Sequence, residues 1–194
     1  MPRLIAFFLI PVFVLLDQIS KWWVIEMFFR PRVFEADGAS QPFFTWLTTL
    51  GQDQFPPTRL EWFDILNLVM VWNKGISFGI FASDEAMTRI FLIGSSSALV
   101  IVLLVWLLRG PTLKVALPLS MIIAGAMGNI WDRVRFGGVA DFIDFHIGDW
   151  HYPAFNVADS CIVLGVAWLA FDGIILEARR LKKSKEEHKG QSNG

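Results

Sequence analysis

The chain has 194 residues, of which 54% are hydrophobic, with 9 Trp and 18 Phe, and its mean hydropathy is +0.50. This composition excludes an ordinary soluble domain and predicts a membrane protein. The net charge of −1 gives no overall basic field, so we do not expect nucleic acid as a partner. Cys161 is the only cysteine, which excludes an internal disulfide and a cysteine-based zinc or iron–sulfur site.

Four apolar stretches are long enough to cross a bilayer as helices, which takes about 20 residues each. We expect these spans at about residues 4–28, 88–108, 114–134 and 155–177. Because Arg3 precedes the first stretch, it could also be a secretory signal peptide. No small-x-small cleavage site ends it, however, so we interpret it as a retained span.

The basic residues predict the orientation. Five of the seven residues from 179 to 185 are basic, and Arg109 and Lys114 flank the short connection between the second and third spans. Basic residues collect on the cytoplasmic side, so both termini are expected there. We expect one membrane domain over residues 1–178 and a basic, disordered cytoplasmic tail over 179–194.

Two segments, about 30–86 and 135–154, are then extracytoplasmic. Residues 66–81 and 139–147 read as strands, and Gly148-Asp149 could turn the second strand back on itself. The predicted fold is a polytopic α-helical membrane protein with four transmembrane helices, a small extracytoplasmic β-layer and a loop and helix segment. The role of residues 31–60 stays open.

Polar side chains meet at the outer end of the predicted bundle. They are Asp17 and Lys21 in the first span, Asn129, Asp132 and Arg133 at the end of the third, Asp141 just beyond it, and Asn156 and Asp159 at the start of the fourth. Ionisable groups in a span are costly and often functional. Taken singly, Asp17 with Lys21 reads as a structural ion pair, Asp132 as a local hydrogen-bonding residue, and Asp144 and Asp149 as solvated loop acids.

The spans lack the combinations of residues that serine, zinc and cysteine peptidases use for catalysis. His146, His151 and His188 lie outside the spans, and no Gly-x-Ser-x-Gly or His-Glu-x-x-His sequence is present. Cys161 has no histidine partner in the spans. Aspartates remain, and two carboxyls that share a proton can hydrolyse a peptide without a metal or cofactor. The residues alone do not say which of Asp141 and Asp159 begins as the base.

Four blocks of the sequence resemble one known family, the lipoprotein signal peptidases, which are the aspartic signal peptidase II enzymes of bacteria. The blocks are Asp17-Gln18-Ile19-Ser20-Lys21, then Asn73-Lys74-Gly75-Ile76-Ser77-Phe78-Gly79, then Gly128-Asn129-Ile130-Trp131-Asp132-Arg133 with Gly138-Val139-Ala140-Asp141-Phe142, and Phe155-Asn156-Val157-Ala158-Asp159. The blocks follow the same order as in the family, and the resemblance covers most of the chain. Two features depart from it: the segment between Lys21 and Asn73 is longer than expected, and Ile76-Ser77 replaces the usual small alanines.

The resemblance implies a role for each matching position. Asp141 and Asp159 would be the catalytic pair, with Asn129, Arg133 and Asn156 positioning the pair and the substrate. Asn73 and Gly75 would line the site, and Asp17, Lys21 and Asp132 would be structural polar residues.

The resemblance also implies a substrate and a location. The family cleaves diacylglyceryl-prolipoproteins just before the lipidated cysteine, in the bacterial cytoplasmic membrane, with the active site near the outer face. Membrane lipid would be a further partner, and we expect a monomer. The alternative interpretation is a small transporter or channel with an interfacial polar cluster.

Overall fold

The computed structural model of the chain describes residues 2–33, 39–52, 54–75 and 85–192. The helices are α1 (Pro2–Trp22), continued by a π-helical stretch (Trp23–Phe29) and α2 (Arg30–Val33), then α3 (Phe43–Thr48), α4 (Glu85–Leu108), α5 (Leu113–Phe136) and α6 (Val157–Ser192). The strands are β1 (Thr58–Phe63), β2 (Leu66–Asn73), β3 (Val139–Ile147) and β4 (Trp150–His151).

Four helices in the described residues are long and apolar enough to span a membrane, which confirms the predicted multi-pass architecture. They are Leu4–Val33, Glu85–Leu108, Leu113–Phe136 and Val157–Ile174. The first is longer than the sequence predicts, because the chain stays helical beyond the π-helical stretch, through α2 to Val33.

Helix α6 also continues farther than the sequence predicts. Its backbone is helical to Ser192, across the segment that we expected to be a disordered tail from Arg179. The sequence offers a reason, since Lys182 and Lys183 precede Glu186 and Glu187 by four residues. Such spacing of strong helix formers favours a helix.

Helix α5 is the centre of the bundle. Its buried residues Leu119 and Ile123 belong to one apolar core with Ala6 of α1 and Leu103 of α4. Toward α6 it presents Gly125, where an added Cβ would collide with a backbone carbonyl of that helix. Small residues let helix backbones approach closely in a membrane, so α5 and α6 pack nearly backbone to backbone.

The four strands form one antiparallel sheet in the order β1-β2-β3-β4. Its apolar residues, among them Met70 and Phe142, share a second core with Ile25 and Phe29 of the π-helical stretch and with Trp46 of α3. The predicted β-layer is therefore confirmed. Strand β1 and helix α3 occupy part of the segment whose role the sequence left open, and residues 76–81 of the predicted strand and turn lie outside the described residues.

The close contact at Gly125 gives a prediction about stability. Gly125→Ala places a methyl group against the α6 backbone, and overpacking of this kind costs about 1–3 kcal/mol. Thermal unfolding in detergent, followed by Trp fluorescence, should show a lower midpoint. Gly94→Ala in α4, where a Cβ meets nothing within 4 Å, is the control and should not destabilise. Equal midpoints for the two variants would show that α5 and α6 are not closely packed there.

Candidate active site

Asp141 lies within strand β3, opposite Val71 of β2, and its side chain is only 2% exposed. A β-strand directs successive side chains to opposite faces, which fixes the direction of this carboxyl. The Asn156 amide donates a 2.7 Å hydrogen bond from Nδ2 to Asp141 Oδ1. The strand therefore delivers a buried carboxyl to the start of α6.

Asp159 is held by the N-terminus of α6. Its backbone N–H donates to Asn156 Oδ1 at 2.9 Å, and Asn156 N–H donates to Asp159 Oδ2 at 3.3 Å. This reciprocal pair is a capping box, with Asp in the position more often taken by Glu. These two hydrogen bonds orient the half-buried Asp159 carboxyl in the first turn of the helix.

Asn129 of α5 completes a hydrogen-bonded path between the two aspartates. Its Nδ2 donates to Asp159 Oδ1 at 2.8 Å, and its Oδ1 accepts from Asn156 Nδ2 at 3.3 Å. Because Asn156 also contacts Asp141, the order is Asp141, Asn156, Asn129, Asp159. Side chains from a strand and two helices thus converge on one polar centre.

The protonation of Asp141 reflects its surroundings. Burial, and then the nearby charge of Asp159, raise the pKa of Asp141 to about 7, while the Asn73 and Asn156 amides and Lys21 oppose the rise. Asp141 can therefore hold a proton near neutral pH.

Arg133 lies beside the pair. Its Nη1 donates to the Asn129 backbone oxygen at 3.3 Å, and its guanidinium is close enough to Asp141 and Asp159 to interact electrostatically. The buried Nε atom has no hydrogen-bond partner among the described residues. The side chain thus offers a free donor beside two carboxyls.

Asn73 and Gly75 approach Asp141 from the end of β2. Asn73 interacts with the Asp141 carboxyl and accepts a 3.0 Å hydrogen bond from Gly75 N–H. Gly75 has φ +75°, and a Cβ there would meet the side chain of Leu92, so a glycine suits this position on both counts. The predicted residues Ile76 to Gly79 of the same block lie outside the described part of the chain.

Asp17, Lys21 and Asp132 form a buried charged cluster next to the site. Lys21 Nζ is 2.8 Å from Asp17 Oδ2 and 2.8 Å from Asp132 Oδ2. The sequence predicted the Asp17–Lys21 pair but treated Asp132 as a local residue. Asp132 instead joins the ion pair across two helices.

Gln18 and Arg135 belong to the same cluster, and the sequence analysis gave neither a role. Gln18 Nε2 donates to Asp17 Oδ2 and to Asp132 Oδ1, both at 3.0 Å, and Arg135 Nη1 donates to Gln18 Oε1 at 3.1 Å. Arg135 also stacks on the Trp46 ring, 4.0 Å from its centroid. A glutamine inside an apolar span and an arginine three residues after Asp132 were the available signals.

Two cavities open beside the aspartates. One, of about 320 Å³, is lined by Asp141, Asn73 and Gly75, together with Pro153 and Ala154. The other, of about 470 Å³, is mostly apolar; it reaches from Asp159 along α6 to Leu164 and is also lined by Pro153 and Ala154. A cavity of mixed polar and apolar lining and a mostly apolar cavity therefore adjoin at the pair.

Asp144 is not the solvated loop acid that the sequence predicted. It is 4% exposed, pairs with Arg59 at 2.8 Å, accepts from Asn67 Nδ2 at 3.1 Å, and lies 2.9 Å from His151 Nδ1. Burial alone would raise the pKa of Asp144, but the hydrogen bonds from His151, Asn67 and Arg59 outweigh it and lower the pKa. Asp149, by contrast, is exposed in the turn before β4.

The described residues contain no group of three or more His, Cys, Asp or Glu side chains placed to hold a metal ion. His146 and His151 stack on each other in the β3–β4 hairpin, with ring centroids 5.0 Å apart. Both histidines lie outside the four candidate spans, as the sequence predicts.

A family model described as signal peptidase (SPase) II matches residues 9–175. The chain belongs to the signal peptidase II family. Membership makes it a peptidase and not the transporter or channel of the alternative interpretation. It confirms the resemblance seen in the four sequence blocks.

Curated relatives and solved structures agree with this family. A lipoprotein signal peptidase of Serratia proteamaculans (strain 568) is 35% identical over 181 residues, covering 92% of this chain and 92% of that protein. One of Janthinobacterium sp. (strain Marseille) is 37% identical over 174 residues, covering 89% and 87%. A bacterial membrane enzyme solved by the in meso method at 1.9 Å resolution has a TM-score of 0.61 at 24% identity, covering 86% of this chain and 90% of that one. At that identity the likeness supports the fold alone.

The capping box predicts a measurable cost when Asn156 is truncated. Asn156→Ala removes the side-chain cap of α6 and one partner of Asp141, so the free energy of unfolding should fall by about 1–3 kcal/mol. Thr112→Ala is the matched control, because Thr112 precedes α5 but makes no side-chain capping bond. Denaturant titration in detergent measures both. A loss at Asn156 no larger than that at Thr112 would contradict the capping role.

Proposed function

We propose that this protein removes the signal peptide from diacylglyceryl-modified prolipoproteins, cleaving just before the lipidated cysteine, with Asp141 and Asp159 as an aspartic catalytic pair. The observation that carries this proposal is the continuous hydrogen-bonded path through Asn156 and Asn129 that joins the two carboxyls. The curated relatives are lipoprotein signal peptidases, which supports lipoproteins as the substrate class.

The arrangement suggests how the two carboxyls divide the work. We infer that Asp141, whose pKa is raised to about 7, begins with the shared proton, and that Asp159 acts as the initial base. Asp159 takes a proton from water as the water oxygen attacks the scissile carbonyl carbon, and Asp141 protonates the carbonyl oxygen. When the tetrahedral intermediate collapses, the C–N bond breaks, Asp159 returns its proton to the leaving amine, and Asp141 recovers a proton from the hydroxyl.

The surroundings of the pair suit a lipidated peptide. The apolar cavity along the outer part of α6 can take acyl chains, and the cavity at Asp141 can take the peptide around the scissile bond. Arg133 and Asn73 supply hydrogen-bond donors for peptide carbonyls. Residues Pro153 and Ala154, which line both cavities, would then lie beside the lipidated cysteine.

The topology that accompanies this function follows from the basic residues. We propose a protein of the bacterial cytoplasmic membrane with both termini in the cytoplasm and the pair near the outer face. We further propose that the monomer is active, since both aspartates and their partners come from one chain.

Loss of either carboxyl is the direct test. In purified protein, Asp141→Asn and Asp159→Asn should each lower kcat for a diacylated prolipoprotein by roughly 10³-fold or more, because each removes half of a unit that acts jointly. Asp149→Asn, at an exposed acid in the β3–β4 turn, is the control and should retain wild-type kcat. Gel mobility or mass spectrometry of the product measures cleavage, and near wild-type processing by either folded variant would rule out the pair.

A further inference from the structure

Lys21 is fully buried and carries a charge between two acids from different helices. Its ammonium contacts Asp17 of α1 and Asp132 of α5, both at 2.8 Å, and lies 3.5 Å from Asn129 Oδ1. A buried ammonium is costly unless it is fully paired. Here its three hydrogens have three oxygen acceptors.

Each of the two acids also holds the backbone directly before one candidate catalytic aspartate. Asp17 Oδ1 accepts a 2.9 Å hydrogen bond from the N–H of Ala158, which precedes Asp159. Asp132 Oδ2 accepts a 3.3 Å hydrogen bond from the N–H of Ala140, which precedes Asp141. One ammonium therefore lies between two carboxylates that each fix one half of the pair.

Lys21 also selects the orientation of the Asn129 amide. With Oδ1 toward the ammonium, Nδ2 is free to donate to Asp159. A flipped amide would put its donor against the Lys21 ammonium and its acceptor against the Asp159 carboxylate, so both contacts would be repulsive. Lys21 therefore also positions the Asp159 side chain, through Asn129.

The cluster is packed so tightly that a shift of one of its side chains would move the neighbouring backbone. A Cβ on Gly128 would lie 2.5 Å from Asp17 Oδ2, so the Asp17 carboxylate rests against the α5 backbone. Ala158 is completely buried in the same region. A change in the ion pairs cannot be absorbed by empty space.

We propose that Lys21 is a positioning residue for the catalytic pair, holding the backbones before Asp141 and Asp159 through Asp132 and Asp17 and the Asp159 side chain through Asn129. This inference rests on the proposed function. It gives the buried cluster a role in turnover beyond its role in the fold.

The charge of Lys21 gives a second, independent readout. Among the described residues, the charged groups that act on Asp141 are Asp159 from α6, Arg133 from α5 and Lys21 from α1, and Lys74 lines the same cavity as Asp141. Lys21 lowers the pKa of Asp141, against the effect of burial. Its removal should raise that pKa, so the loss of activity on the alkaline side should move to higher pH.

The experiment compares Lys21→Met and Lys21→Arg with wild-type protein, using a diacylated prolipoprotein in detergent from pH 5 to pH 9. For Lys21→Met we expect kcat to fall by about 10- to 100-fold while KM stays within about twofold of the wild-type value. The loss of activity on the alkaline side of the pH profile should move to higher pH. Lys21→Arg keeps the charge, so the alkaline side of its pH profile should match that of the wild-type protein. Its kcat should stay below wild type, because a guanidinium cannot reproduce the three contacts of the ammonium. Lys114→Met, an exposed lysine at the start of α5, is the control.

A double-mutant cycle separates positioning from stability. Lys21→Met and Asn129→Ala should be non-additive in kcat, because the first change already releases the amide. If Lys21→Met does not fold, Lys21→Met with Asp132→Asn removes one uncompensated carboxylate and is assayed in its place. The inference would be overturned if folded Lys21→Met, or the folded double variant assayed in its place, kept the wild-type kcat and the wild-type loss of activity at alkaline pH. Additive effects in the cycle would also overturn it. Absence of cleavage by wild-type protein would instead overturn the proposed function.

Discussion

The structure depends on the free energy of placing carboxyl groups where water is scarce. A buried carboxylate is unfavourable, and a second one beside it is more so, unless hydrogen bonds or a shared proton compensate. Asp141 and Asp159 meet this condition through Asn156 and Asn129, and Asp17 and Asp132 meet it through Lys21. The two solutions are adjacent: the ionic cluster around Lys21 lies beside the aspartate pair, and the proposed function requires that pair to keep one mobile proton.

The fold serves this arrangement by bringing two helices and one strand together at the polar centre. Close packing at Gly125 seats α6 against α5, and this places the capping box of α6 beside Asn129. The sheet brings β3 to the same point from outside the bundle, since Ile143 exchanges hydrogen bonds with Phe155 just before α6. Carboxyls on a strand and on a helix end are held more firmly than loop residues would be, as the proposed catalytic role requires.

Sequence reasoning predicted the four spans, strand β3 and the convergence of the polar residues, because hydropathy and one-turn spacing report directly on those features. It did not predict strand β1, helix α3 or the burial of Asp144, which depend on pairing between residues distant in sequence, such as Arg59 with Asp144. Nor did it assign Gln18 and Arg135 to the buried cluster, since a single polar residue does not reveal its partner on another helix. The catalytic assignment of Asp141 and Asp159 stays a proposal.

The central claim is that the two aspartates act as one unit that carries a single proton near neutral pH. The dependence of kcat/KM on pH for the wild-type protein, with a diacylated prolipoprotein as substrate, tests it most directly. With the pKa of Asp141 at about 7, kcat/KM should fall as pH rises above about 7, because both carboxyls are then ionised and none can protonate the carbonyl. A rate that stays constant to pH 9 in folded protein would contradict the claim.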